Sequence, residues 1–217
     1  MIHDPAGFLR AHTVLAAPPH CPELRLHLAH ELTPIWQATE EELGRLGLAP
    51  PFWAFAWAGG QALARFVLDT PALVQGRSVL DLASGSGLVA IAALKAGARS
   101  ALAADIDPFA AHAAQANAEA NGVELETTSA DLIGADRPEE VILVGDLFYD
   151  RDLSPRLLSW LHDCADRGAI VRVGDPGRSH FDPAAFEQLA EYRVPTTRVL
   201  EDAEIKRTGV WRLRGRR

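Results

Sequence analysis

The chain has 217 residues, 48% of them hydrophobic and 23% charged, with a formal net charge of −8. This is globular composition rather than disorder, and the acidic balance argues against a broad, nonspecific nucleic-acid surface, so no nucleic-acid partner is expected. Cys21 and Cys164 lie outside any CxxC or Cys/His cluster, and Lys95 and Lys206 are the only lysines; a metal site and lysine-based covalent catalysis are both set aside.

Residues 1–50 read as an N-terminal helical extension broken by prolines. Helices are expected over Asp4–His12, Pro22–Glu31 and Thr39–Leu46, the last opened by a Thr39/Glu42 capping box. Pro50–Pro51 closes this region. An aromatic cluster follows (Phe52, Trp53, Phe55, Trp57), then Gly59–Gly60 and a helix over Gln61–Leu68 with Leu63, Phe66 and Val67 on its apolar side.

Residues 51–217 read as one domain. From Ser78 short apolar strands alternate with helices: strand Val79–Leu82, helix Leu88–Ala96, strand Ala101–Ala104, helix Pro108–Asn121, strands Val123–Thr128 and Val141–Val144. Helix Leu153–Ala165, strand Ala169–Val173, helix Pro183–Tyr192 and strands Val194–Leu200 and Gly209–Leu213 complete the pattern. Such alternation with short connections predicts an α/β fold: a Rossmann-like, seven-stranded sheet, parallel with an antiparallel end, flanked by helices. The basic run from Lys206 to Arg217 is expected to be a solvated last strand and tail. There is no leader-like N-terminus and no apolar run long enough to span a bilayer, so a cytoplasmic protein with no membrane partner is expected.

The chemistry concentrates at the carboxyl ends of the strands, where ligands bind in such sheets. The loop Asp81-Leu-Ala-Ser-Gly-Ser-Gly87 joins the first strand to its helix, and Gly85 and Gly87 let the backbone turn tightly and approach a ligand. Ala90 stands where a dinucleotide fingerprint has its third glycine, so the loop alone fits either a nicotinamide or an S-adenosylmethionine enzyme. Asp81 decides between them: its carboxylate suits an ammonium, as in the amino acid tail of S-adenosyl-L-methionine, and would repel a pyrophosphate.

Asp105, at the end of the second strand, suits ribose hydroxyls in either cofactor. Asp107 precedes Pro108 and reads as a helix cap. Asp131 reads either as an acceptor for an adenine amino group or as a turn aspartate. The fourth strand ends in Gly145-Asp-Leu-Phe-Tyr-Asp150, which brings Asp146, Phe148 and Tyr149 to the same crevice. A carboxylate and a phenol can orient a primary amine while an aromatic wall excludes water, so these three are the candidate catalytic residues.

On these motifs the chain resembles the seven-β-strand class I methyltransferases, and within them the lysine methyltransferases of the electron transfer flavoprotein β-subunit. The resemblance rests on residues 50–65 (Pro-Pro-Phe-Trp-Ala-Phe-Ala-Trp-Ala-Gly-Gly-Gln-Ala-Leu-Ala-Arg), the Asp81–Gly87 loop with Asp105, residues 145–150, Gly-Asp-Pro-Gly-Arg at 174–178 and Thr208-Gly-Val-Trp211. It covers roughly residues 25–213. It implies S-adenosyl-L-methionine as cofactor, S-adenosyl-L-homocysteine as product and a lysine of that β-subunit as acceptor. A ribosomal protein or a small amine is the alternative acceptor, and a nicotinamide oxidoreductase the remote alternative. The cofactor site it implies comprises Trp57, the Gly59–Gly60 turn, Asp81, Ala83, Ser84, Gly85, Gly87, Asp105, Ile106, Asp131 and Leu132, with Asp146 and Tyr149 forming an Asp-x-x-Tyr signature toward the substrate lysine. Two departures stand out: Ala83-Ser84 where Gly-Ser or Gly-Thr is common, and Ala58 where proline is frequent.

Overall fold

The computed structural model describes residues 4–29, 50–196 and 203–216. Helix α1 (Pro5–His12) is followed by β1 (Val14–Ala16) and β2 (Leu26–Leu28), which pair antiparallel. Helix α2 (Ala58–Asp69) leads into the alternating region: β3 (Ser78–Leu82), α3 (Leu88–Lys95), β4 (Ser100–Ala104), α4 (Pro108–Ala120) and β5 (Glu126–Thr128). Then come β6 (Val141–Gly145), α5 (Leu153–Asp166), β7 (Ile170–Asp175), β8 (Phe186–Pro195) and β9 (Ile205–Leu213).

Strands β3 to β9 form one 7-stranded sheet in the order β5-β4-β3-β6-β7-β9-β8. Strands β5, β4, β3, β6 and β7 pair in parallel, and β9 runs antiparallel to both of its neighbours. The central strands are largely apolar because helices cover both faces. Val79, Val141 and Leu143 pack on the side of α2 and α3, while Leu80, Ile142 and Val144 pack with Leu157 and Leu161 of α5. Helix α3 is buried from Leu88 to Ala93. An apolar sequence with no polar stripe is what a helix enclosed on all sides requires.

The N-terminal segment joins this body through Asn117 of α4, which is fully buried. Its Oδ1 accepts from the His27 amide (2.6 Å) and its Nδ2 donates to the Ser86 carbonyl (2.9 Å), linking β2 to the glycine loop. Asn121 accepts from the Arg25 amide in the same way. These outward hydrogen bonds explain why Leu26–Leu28 is a strand where a helix over Pro22–Glu31 was expected: the backbone donors are satisfied by α4 rather than within a helical turn.

A larger difference lies at the end of the chain. The expected helix Pro183–Tyr192 is a single 3-10 turn, Pro183–Ala185, followed by strand β8. Strand β8 pairs with β9 from Phe186↔Leu213 to Pro195↔Ile205, with a bulge between Gln188 and Ala190. The third expected strand, Val123–Thr128, is shortened to Glu126–Thr128. The helix expected over Thr39–Leu46 lies outside the described residues, as do residues 197–200 of the expected strand Val194–Leu200.

Candidate active site

In the strand order β5-β4-β3-β6-β7, the connections leave β3 on one side toward β4 and later resume on its other side at β6. Ligands bind in the crevice at such a switch point, beyond the carboxyl ends of the strands. A cavity of about 510 Å³ lies there, within the range for a small-molecule site. Its walls come from the Asp81–Ser86 loop, the ends of β4 and β6, the Ala130–Ile133 segment and the aromatic segment before α2.

The loop owes its shape to three left-handed residues. Gly85 (φ 50°) and Gly87 (φ 76°) take this conformation freely, and Ala83 (φ 54°) takes it against the preference of an L side chain. Ala83, Ser84 and Gly85 face the cavity, and the Trp53 Cα lies 3.6 Å from where a Gly85 Cβ would stand. Gly87, expected in the cofactor site, is instead buried: a Cβ there would meet Ala114 Cβ at 2.9 Å. Its role is the tight turn and the close approach of α3 to α4.

Asp81 borders the cavity but is only 1% exposed. Its Oδ2 accepts from the Ala90 amide of α3 at 2.9 Å. Burial raises its pKa to about 8, outweighing the Ala90 hydrogen bond, and the nearby Asp105 adds to the rise. A cation bound beside it would favour the ionised carboxylate, with the proton leaving to water.

Asp105 accepts from the Gly85 amide (2.8 Å) and the Asp107 amide (3.0 Å), so it pins the loop to the end of β4. Burial raises its pKa, opposed by those two amides. Each carboxylate oxygen keeps a second lone pair for a ligand hydroxyl. Asp107 caps α4 through the Phe109 amide, as its place before Pro108 predicts. Ile106 is 74% exposed at the cavity, and Leu132 offers a buried apolar side chain nearby. Asp131 holds its own turn by accepting from the Ile133 amide at 3.0 Å, and it pairs with Arg156.

At the other end, α2 begins against the sheet. Ideal Cβ atoms on Gly59 and Gly174 would each stand within 2.3 Å of the other residue's carbonyl oxygen, and one on Gly145 would lie 3.0 Å from the Gly60 Cα. Only glycines allow this approach, which delivers the Gly60 amide to Asp146 Oδ2 at 2.8 Å. Of the expected Gly59–Gly60 turn, Gly59 is thus buried packing at the start of α2, while Gly60 lines the cavity.

Asp146 adopts a left-handed backbone (φ 57°), a strained conformation that recurs at functional sites. Its Oδ1 accepts a fork from Arg178 Nε and Nη2 at 3.0 and 2.5 Å. Arg178 also sits 5.8 Å from the centroid of the Trp57 ring. Tyr149 is 52% exposed at the rim, edge-on to Phe52. Its phenol pKa is raised by burial and by Asp150 and Asp105, and Arg178 opposes the rise.

Phe148 is not part of this wall. It is 1% exposed and packs edge-on against Phe181 and Phe186, on the sheet face that α5 covers. The chain turns Phe148 into the core, while Asp146, Leu147 and Tyr149 line the cavity. Arg178 is a side chain of the cavity that the motif reading did not single out. The signal was present in Gly-Asp-Pro-Gly-Arg, a tight turn that ends in a lone guanidinium. Among the described residues no cluster of three or more His, Cys, Asp or Glu side chains suits a metal ion, and no helix is long and apolar enough to cross a membrane.

The family model for ribosomal protein L11 methyltransferase matches residues 62–145, the glycine loop and the strands around it. Among solved structures, the chain is similar to ribosomal protein L11 methylase from Lactobacillus delbrueckii subsp. bulgaricus, at 23% identity and TM-score 0.55 over 75% of this chain and 81% of that one. Magnesium protoporphyrin IX methyltransferase from Synechocystis, solved with S-adenosylmethionine bound, shares the fold at 15% identity and TM-score 0.53, over 72% and 80%. Across nearly the whole length, the chain is 38% identical to the electron transfer flavoprotein beta subunit lysine methyltransferase of Xenopus laevis, covering 95% of this chain and 86% of that one. Identity of that extent, on a methyltransferase fold with the site at its switch point, makes this chain a member of the electron transfer flavoprotein β-subunit lysine methyltransferase family.

Proposed function

We propose that the protein uses S-adenosyl-L-methionine to methylate lysine side chains of the electron transfer flavoprotein β-subunit. The observation that carries this reading is the facing pair of site ends: a carboxyl and glycine loop at Asp81–Gly85, and a carboxylate with aromatic walls at Asp146, Trp57 and Tyr149, across one cavity.

The residues fit the cofactor. Asp81, with its pKa near 8, would take the ammonium of the amino acid tail and give up its proton as it does so. The Gly85 turn admits that tail, Asp105 would accept from the ribose hydroxyls, and Ile106 and Leu132 would flank the adenine. Asp131 already has two partners and borders the adenine end through its turn. When bound, the cofactor supplies an electrophilic methyl group on sulfur.

The protein's part is alignment, charge and exclusion of water. A lysine with an ordinary pKa near 10.4 must lose a proton before it can attack, at a cost of about 4–5 kcal/mol at neutral pH. Asp146 would orient the amine, Trp57 and Tyr149 would shield it, and the proton would leave to water. The nitrogen lone pair, so aligned, would be the nucleophile toward that methyl group.

The test is transfer of labelled methyl groups from S-adenosylmethionine to the purified β-subunit, mapped by mass spectrometry. Methylated lysines that disappear with Asp146→Ala, while S-adenosylhomocysteine still binds, support the reading. Cofactor binding without label on the β-subunit, but with label on another protein or a small amine in cell extract, would overturn the acceptor and leave the chemistry standing.

A further inference from the structure

Arg178 is held more firmly than a surface arginine. Its own amide and that of Gly177 donate to Oδ1 of Asp175, at 2.8 and 2.7 Å, and Asp175 is 1% exposed at the end of β7. The loop is thereby fixed, and the guanidinium spans from the Trp57 ring to Asp146. Side-chain exposure is only 20% for Arg178 and 11% for Asp146, so the pair sits largely out of water. A guanidinium fork on a carboxylate is directional as well as strong.

This geometry bears on a conflict within the reaction. An unopposed carboxylate beside a lysine ammonium favours the charged form of the lysine, which has no lone pair to attack with. A carboxylate already paired with a cation at hydrogen-bond distance presents a nearly cancelled charge, yet keeps lone pairs that can accept from N–H groups. We propose that Arg178 is a positioning residue for methyl transfer: it fixes the Asp146 carboxylate and cancels its charge, so that the acceptor lysine is oriented without being held as an ammonium. This rests on the reading that Asp146 receives the acceptor amine.

The other charges around the site are constant between the variants that test this. Among the described residues they are Asp81 at the end of β3, Asp105 and Asp107 at the end of β4, and Asp131 with Arg156 at the far side. Tyr149 and Asp150 follow β6, and Asp175 ends β7. Helix α2 contributes the Gly60 amide and no charged side chain to the pair.

The experiment is the pH profile of kcat and KM with the β-subunit as acceptor, for the parent, Arg178→Gln, Arg178→Lys and Asp146→Asn. Binding of S-adenosylhomocysteine, read alongside, reports that each variant is folded. Arg178→Gln should move the ascending limb of kcat up by about one pH unit, lowering kcat about tenfold near neutral pH, without raising KM. Arg178→Lys should return most of that shift. Asp146→Asn, which leaves the Arg178 charge unopposed, should move the limb to lower pH and raise KM.

A limb for Arg178→Gln that coincides with the parent's, or a lysine variant no better than the glutamine one, overturns the proposal. If Asp146→Asn changes neither limb nor KM, the placement of the amine fails as well; if only Arg178→Gln is silent, that placement stands and this inference alone falls. Should Arg178→Gln lose cofactor binding, the sign of the Asp146→Asn shift decides, an upward or absent shift counting against the proposal.

Discussion

Gly59 and Gly174 meet backbone to backbone, with a Cβ on Gly174 lying 2.2 Å from the Gly59 carbonyl oxygen and 2.8 Å from Leu63 Cβ. Neither obstacle is a flexible side-chain end, so the contact fixes how close the start of α2 comes to the end of β7. That spacing sets the Gly60 amide on Asp146.

Gly174→Ala should therefore cost about 3 kcal/mol or more, a fall in Tm of roughly 6–12 °C. Methyl transfer should fall with it, because Asp146 loses its amide partner. Gly60→Ala is the contrast: a Cβ there meets only Val89 Cγ2 at 3.9 Å, and alanine favours a helix by about 0.5–1 kcal/mol. Equal melting temperatures for the two variants would refute the packing argument.

Asp81 gives a pH signature with a definite sign. Its folded pKa, near 8, is raised above the ordinary 3.8, so its contribution to stability is full below that ordinary value and lost as pH rises toward 8. Asp81→Asn keeps an acceptor for the Ala90 amide and removes the titration. The melting temperature of the ligand-free variant should gain on the parent's between the two pKa values and run parallel to it above 8. Binding of S-adenosylhomocysteine should strengthen with pH up to that point in the parent, and be weaker and flat in the variant. A parent curve of calorimetric affinity that falls with pH over this window would count against the ammonium contact.

Ala83 sits at φ 54°. The left-handed conformation costs an alanine about 1–2 kcal/mol, and glycine's greater unfolded-state freedom takes back about 0.5–1 of this. Ala83→Gly should thus raise Tm by up to about 2–4 °C with cofactor affinity retained. A lower Tm would mean the methyl group packs usefully against the core on the α5 side of the sheet, which it adjoins.

Phe148 and Tyr149 are neighbours with separate duties. Phe148→Ala should cost about 3–5 kcal/mol of stability, and the conservative Phe148→Leu less, with turnover per folded molecule unchanged. Tyr149→Ala should do the reverse, leaving Tm near the parent's and lowering kcat. Denaturation melts and single-turnover methyl transfer on the same samples separate the two; a Phe148→Leu enzyme that folds but no longer turns over would return that ring to the site.

The sequence by itself determined the central strands and helices from β3 to β7, because their hydrophobic runs, glycine stops and aspartate caps act within a few residues. It also marked the Asp81–Gly87 loop, Asp105 and Asp146, since the chain puts each at the end of a strand. The tertiary structure decided what depends on distant partners. Residues Phe186–Pro195 bury Phe186 and Val194 and pair along β9, and that pairing overrode a local pattern that reads equally as a helix. Phe148 went to the core because Phe181 and Phe186 were there to receive it. Gly59 and Gly87 lie where elements touch and do not line the cavity. The Asp146–Arg178 pair joins residues that the Gly145↔Gly174 register of β6 and β7 brings together. Strand pairing and close packing are made between segments far apart in the chain, and no local run of residues carries them.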